Sequence, residues 1–350
     1  MADQQLKRVA ASGAGLLAGA GVARAIEAEE ALRHAAPAED LVVAEVAEPS
    51  EIGFWKLAAI RFLHHRTATV SLGILLFIVA TAMIVPTFQG DLYRLQDYTH
   101  PYGNPFQFYS HAVTLPGGLS VTLPWTDHLL GTDALGRDEM SRLIRGARVS
   151  LTVGLLAILG YLIIGGVLGS LAGFYGGWLD NALMRLTDVI IAMPFILVVI
   201  AVTAAFGGVS LTVLVLVIAA LGWFEIGRLM RAQFLVLRES EFVQAARALG
   251  ASDIRIIFRH IVPNSLAPII VSATLGVSGI ILLEAALGFL GYSIPPPEPS
   301  WGNLLSDYEE PILQGHLYIV AFPAIALVTT ALCINLIGDG IRDALDPRQR

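Results

Sequence analysis

Five stretches of this chain contain no Asp, Glu, Lys or Arg: residues 67–90, 149–179, 189–224, 260–283 and 311–338. Each meets the requirement of roughly 20 apolar residues for crossing a hydrocarbon core about 30 Å thick. Charged residues make up only 15% of the chain and the mean hydropathy is +0.68, against about 25% charged residues in ordinary soluble domains. The third stretch is 36 residues long, about 54 Å as one helix, too long for a single crossing. Gly207-Gly208 sits in its middle and offers a turn. The expectation is therefore an all-α membrane protein with six transmembrane helices, over about 67–88, 149–173, 182–206, 209–230, 263–288 and 316–338. Pro194 is expected to kink the third.

Lys and Arg residues near the spans set the orientation. With the N-terminus inside, thirteen fall on the inner side and five on the outer side, which places both termini in the cytoplasm. The three outer arginines before the second span, Arg142, Arg145 and Arg148, run against the trend and are read as facing a partner or lipid headgroups. Residues 1–55 are rich in Ala and Glu, with nine acids and four bases, and read as a flexible or partly helical cytoplasmic tail rather than a cleaved signal segment. A first helix and a long extracytoplasmic segment occupy 56–148, and the main membrane domain 149–350. A basic inner loop runs over about 231–262. The formal charge of −7 belongs mostly to the tail and gives no reason to expect a nucleic-acid partner. Cys333 is the only cysteine, so no disulfide within the chain is possible.

Chemistry-bearing residues are few. Gly165, Gly169, Gly173 and Gly177 are spaced by four and form one small-residue stripe on a helix, which lets another helix approach closely. That neighbour is either within the chain or in another subunit. Residues 241–250 read as a short amphipathic helix: Ala245, Ala246, Leu249 and Gly250 give small or apolar surface, and Gln244 and Arg247 a polar side. Pro263 is expected in the first turn of the next span. Such a helix either docks into a groove of another protein or lies in the membrane interface. Glu284 lies near the outer end of the fifth span, either lining a pathway or acting as a hydrogen-bonded structural carboxylate under the loop at Pro295–Pro297. Asp180, Arg185 and Asp188 read as an ion-pair cluster, and His260 as structural. The chain has two lysines, Lys7 and Lys56, neither followed by Ser or Thr, so it carries no phosphate-binding P-loop. No second half resembles the first, as a secondary transporter built from inverted repeats would require. A second aspartate to partner Asp339 in intramembrane proteolysis is missing, as are the metalloprotease and nucleophile-elbow motifs.

The segment Gln244-Ala245-Ala246, Gly250 and Pro263 resembles the EAA loop of ABC importer permeases, with Gln244 where that family usually carries Glu. Three further segments resemble the C-type permease subunit of dipeptide, oligopeptide and nickel importers, in the binding-protein-dependent transport inner-membrane component family. They are Leu130-Gly131-Thr132-Asp133 through Gly136-Arg137-Asp138, Leu287-Gly288-Phe289 through Trp301-Gly302-Asn303, and Asn335-Leu336-Ile337-Gly338-Asp339-Gly340 through Pro347-Arg348. The resemblance spans roughly residues 56–350.

It implies a type I ABC importer permease fold in a bacterial or archaeal inner membrane, surrounded by lipid. It also implies a homologous B-type permease, two ABC ATPase domains and an extracytoplasmic substrate-binding protein as partners. ATP and Mg would be held by the ATPase chains, with no cofactor or metal on this one. Glu241, Gln244, Ala245, Ala246, Leu249, Gly250 and Pro263 would form the coupling element. Asp133, Arg137, Asp138, Trp301 and Asn303 would belong to the outer surface where the binding protein docks. The cargo would be a peptide, with nickel, glutathione or another small solute as the alternative.

Overall fold

A computed structural model describes residues 53–89, 92–96, 101–106, 112–114, 120–122, 128–206, 209–306 and 309–346. Of the expected tail over residues 1–55, residues 1–52 lie outside these residues, as do the Gly207-Gly208 turn and Pro347-Arg348. In hydrocarbon every backbone N–H and C=O must be satisfied within the protein, so apolar stretches this long become helices. Helix α1 spans Phe54–His64 and α2 Arg66–Gln89. The long α3 covers Glu139–Tyr175, followed by α4, Gly177–Ala192, and α5, Phe195–Ala205. Then come α6, Leu211–Gly222, and α7, Phe224–Leu237. The short α8, Glu241–Ala248, precedes α9, Asp253–Arg255, a π-helical segment Ile256–Ile261, and α10, Val262–Phe289. Short helices α11, Trp301–Leu304, and α12, Glu309–Leu313, lead to α13, Tyr318–Leu345. The all-α expectation holds, with a short hairpin between α2 and α3. It pairs β1, Ala112–Thr114, with β2, Ser120–Thr122, antiparallel, with Ala112 opposite Thr122.

Among the described residues, five helical runs are long and apolar enough to cross a membrane alone, and the α4–α5 pair makes a sixth if counted as one. The chain's own contacts decide the count. Residues at the start of α2 meet the end of α13: His65 lies 3.5 Å from Asp343, and Arg61 donates to the Asp346 carbonyl at 3.4 Å. Both ends of the bundle therefore share one side, which requires an even number of crossings, and α4–α5 supplies the sixth.

Three boundaries differ from expectation. First, α3 starts ten residues before the charge-free stretch, because the hydrocarbon limit marks where charges stop, not where a helix stops. Asp138 caps it, accepting from the Ser141 N–H at 2.7 Å. Second, the third span is no kinked helix but two helices meeting at 93°; Met193 stands in extended geometry before Pro194, as a residue preceding proline prefers. Third, Pro263 stands in the first turn of α10 as expected, but that helix does not begin afresh there. One helical run continues from Asp253 to Phe289, and the π turn stands just before Pro263. Proline cannot donate to the helical ladder, and a π segment is one way a helix absorbs that defect without ending.

Gly165, Gly169 and Gly173 pack α3 on α7. A β-carbon at Gly165 would lie 2.5 Å from the Trp223 carbonyl oxygen, and one at Gly173 2.7 Å from that of Arg231. At Gly169 it would run into the backbone of Gly227. The neighbour is thus within the chain. Gly177 is not part of the stripe: it starts α4, and a β-carbon there would meet nothing. Asp180 pairs with Arg231 of α7, and Asp188 with Arg228 at 2.6 Å and Arg185 at 3.9 Å. These pairs tie α4 to α7 as well as closing on themselves.

Candidate functional site

At the inner end, Arg238 follows α7 and turns its guanidinium back onto α3. It donates to the carbonyls of Gly173 at 2.9 Å and Phe174 at 3.2 Å, groups that a helix C-terminus leaves unsatisfied and that favour a cation. Helix α8 then stands out from the bundle. Its one buried residue is Val243, which joins a cluster with Phe234, Ile256 and Ile261. Glu241, Gln244 and Ala245 are exposed and Ala246 is half-buried. Leu249, 89% exposed, ends the helix. Gly250 has φ +79, and the N–H groups of Gly250 and Ala251 bond the carbonyls of Arg247 and Ala246. This is a Schellman ending that needs the left-handed conformation glycine adopts freely. The Gln244 amide donates to the Glu239 carbonyl at 2.9 Å, so this side chain serves the loop's own fold. Exposed Phe242, Ile254 and Phe258 widen the apolar surface around α8. The sequence reading passed over them, although Ile254 and Phe258 are spaced to share one helix face.

At the outer end, the segment before α3 is a knot of local bonds. Asp133 accepts from the Leu135 and Arg137 N–H groups, both at 2.9 Å, and from Arg137 Nε at 2.7 Å. Arg142 lies 3.5 Å from the same carboxylate, and His128 3.1 Å from Asp138. Tyr318 of α13 donates to the Gly103 and Thr132 carbonyls at 2.9 and 3.0 Å. Beside this knot the carboxyl group of Glu139 is fully buried, and among the described residues neither oxygen has a hydrogen-bond partner. Arg142 and Arg145 face protein carboxylates, which corrects the reading that they face lipid or another chain.

The loop after α10 is held by two carboxylates. Glu284 has no exposed surface and accepts from the hydroxyls of Ser150 at 2.7 Å and Ser293 at 2.8 Å. Ser150 in turn accepts from the Trp301 N–H at 3.2 Å. Glu298 accepts from Tyr93 Oη at 2.5 Å, from Arg94 at 3.1 Å and from Arg145 Nε at 3.1 Å. Burial alone would push the Glu298 carboxyl up. The Tyr93 hydroxyl and the Arg145 and Arg94 guanidiniums outweigh it and hold the group below the ordinary carboxylate range. Burial, and then the bond to this carboxylate, push the Tyr93 phenol up, so it stays a donor at neutral pH.

Trp301 is not available for the docking expected of it, while Asn303 is half-buried and bonds within its own loop. Trp301 is 1% exposed and its indole N–H donates to the Leu143 carbonyl at 3.1 Å. Asn303 completes a capping box with Ser300 and donates to the Ile294 and Glu298 carbonyls. What this side presents outward is Leu135, Tyr292 and Pro295 to Pro297. No group of three His, Cys, Asp or Glu side chains among the described residues has a metal-holding arrangement.

A six-crossing helical bundle with an exposed helix at its inner end and an internally bonded loop at its outer end defines a multi-pass membrane protein. Residues 165–350 match the family described as binding-protein-dependent transport system inner membrane component, and residues 53–106 match the N-terminal TM domain of oligopeptide transport permease C. The dipeptide transport system permease protein DppC of Alkalihalophilus pseudofirmus is 46% identical over 241 residues, 69% of this chain and 78% of its own. The di/tripeptide transport system permease protein DppC of Pseudomonas aeruginosa is 38% identical over 317 residues, 90% and 97% of the two chains. The MetNI methionine ABC transporter in its inward facing conformations aligns with 59% of this chain and 97% of its own, with a TM-score of 0.48 and 18% identity; the assignment stands without it. This chain belongs to the binding-protein-dependent transport system inner membrane component family and is a permease subunit of an ABC importer in the inner membrane.

Proposed function

We propose that the chain is the non-catalytic C-type permease of a peptide importer, working with a B-type permease, two ATPase domains that hold ATP and Mg, and an outer binding protein. The observation that carries this reading is α8, an exposed helix whose outward side carries Gln244, Ala245 and, at its end, Leu249 beside the charges of Glu241 and Arg247, with Val243 as its one buried residue. A soluble-facing helix that leaves Leu249 uncovered has surface to bury on another protein. Peptide cargo rests on the relatives, which are named for dipeptides and tripeptides. ATP-driven closure of the two ATPase domains would move α8 and switch the pathway between its two openings. The energy of hydrolysis and most of the choice of cargo then lie on other chains.

The test is a cysteine crosslink. In a Cys333→Ser background, Leu249→Cys is coexpressed with the transporter's ATPase subunits and treated with a short thiol-to-amine crosslinker. The expected result is a covalent adduct with an ATPase chain. Adducts with neither ATPase, in a complex that copurifies intact, would contradict the docking role of α8.

A further inference from the structure

We infer that the groove between α2, α3, α10 and α13 holds an acyl chain of an anionic phospholipid, whose phosphate pairs with Arg148 at the outer end of that groove. This goes beyond the function proposed above and does not depend on the cargo.

The groove measures about 300 Å³, with walls that include Leu75 of α2, Leu151 and Leu155 of α3, Val277 of α10 and Ile337 of α13. Every residue lining it falls inside the charge-free stretches 67–90, 149–179, 260–283 and 311–338, so it lies at hydrocarbon depth. Thr274 is the one polar side chain in the lining, and its hydroxyl already donates to the Ile270 carbonyl at 2.8 Å. Water or a peptide entering here would give up hydrogen bonds and find almost none in return. A hydrocarbon chain gives up none. Leu155 is 50% exposed, so the groove opens to the outside of the bundle, and the neighbouring α2 turns Ile74 and Phe77 outward.

The same face of α3 supplies a cation. Arg148 stands three residues before Leu151 and seven before Leu155, a spacing that puts all three on one side of a helix. It is the last charge before the apolar run 149–179, and helical side chains lean toward the N-terminus, which for α3 is the outer end. The other two arginines of this segment are taken: Arg142 lies 3.5 Å from Asp133, and Arg145 3.1 Å from Glu298. Arg148 is half-buried, and among the described residues its guanidinium makes no hydrogen bond or ion pair. A guanidinium fork matches the oxygens of a phosphate and binds them in pairs. At the edge of the hydrocarbon, the molecule that joins a phosphate to a long apolar chain is a phospholipid. An anionic headgroup is favoured, because a zwitterionic one brings its own cation to the phosphate.

The experiment uses the complete transporter in phosphatidylcholine nanodiscs doped with a photoreactive lipid. The probe is either phosphatidylglycerol or phosphatidylcholine, each with a diazirine midway along one acyl chain, and adducts are located by mass spectrometry. The phosphatidylglycerol probe is expected to label Leu155 or Val277 about fivefold more than the phosphatidylcholine probe, the preference that one cation near an anionic surface confers. At Phe77, on the outward side of α2, the two should label alike. Arg148→Gln should abolish the preference, and Arg148→Lys, which keeps the charge, should retain most of it. Should Arg148→Gln lower the level of assembled transporter, Leu155→Trp, which fills the groove from its open side, is expected to remove the adducts at Val277. Excess inorganic phosphate should change nothing, because it brings no chain. The site is overturned by equal labelling from both probes, by a preference that survives Arg148→Gln, or by a preference that inorganic phosphate removes. Absence of adducts in the groove, as when a helix of the second permease fills it, overturns it equally.

Discussion

The Ser150 hydroxyl donates to the Glu284 carboxylate across 2.7 Å, and neither side chain has any exposed surface. This bond joins the outer parts of two long helices just below the outer loop. Leaving a buried hydrogen-bonding group without its partner costs about 1–3 kcal/mol. Ser150→Ala should lower the thermal midpoint of the purified subunit by several degrees without preventing membrane insertion, and Glu284→Ala, which strands both Ser150 and Ser293, should lower it more. Equal midpoints for Glu284→Ala and wild type would show that the network holds nothing in place.

The contact between α3 and α7 has no room for a methyl group. A β-carbon at Gly169 would run into the Gly227 backbone, which cannot rotate away as a side chain can. Overpacking of this kind costs about 1–3 kcal/mol, so Gly169→Ala should unfold at distinctly lower temperature. At Gly279 of α10 a β-carbon meets nothing within the chain, and Gly279→Ala should be neutral or slightly stabilising in the isolated subunit. A thermal scan of both variants separates them, and the reverse order would refute the packing described.

Glu298 gives a pH signature. Its carboxyl is held below the ordinary range, so between the folded and unfolded pKa values the folded chain binds fewer protons and stability rises with pH. The contribution is present above about pH 4.3, the ordinary Glu value, and is lost as pH falls through the lower folded value. The difference in thermal midpoint between wild type and Glu298→Gln should therefore hold constant from pH 8 to 6 and shrink only in strong acid. A difference that already shrinks between pH 8 and 6 would mean the arginine clamp is absent in solution.

Much of this was legible from charge spacing. Hydrocarbon thickness is a hard limit, so the six crossings and the amphipathic helix at 241–250 could be read without coordinates. Helix ends outside the hydrocarbon obey no such limit, which is why α3 begins at Glu139 and why the run through Pro263 is unbroken. The right-angle break at Met193-Pro194 depends on how α4 packs, and a proline alone does not fix an angle. Partners far apart in sequence were also invisible. Arg145 and Glu298 each look like an isolated surface charge until the fold brings them within 3.1 Å. Trp301 and Asn303 were placed on an outer surface because their loop is outside, yet it is that loop's own folding that uses them.

The central claim is that α8 carries motion between this chain and the ATPases. Ala246 is half-buried on that helix, and its methyl side chain makes no hydrogen bond. Uptake of labelled dipeptide by proteoliposomes, with ATP inside and loaded binding protein outside, should fall to about a tenth or less for Ala246→Arg, since a charge in a buried docking contact costs several kcal/mol. The protein should reach the membrane at its normal level and keep its thermal midpoint. Uptake at the wild-type rate by a variant equally abundant in the membrane would contradict the coupling role of α8.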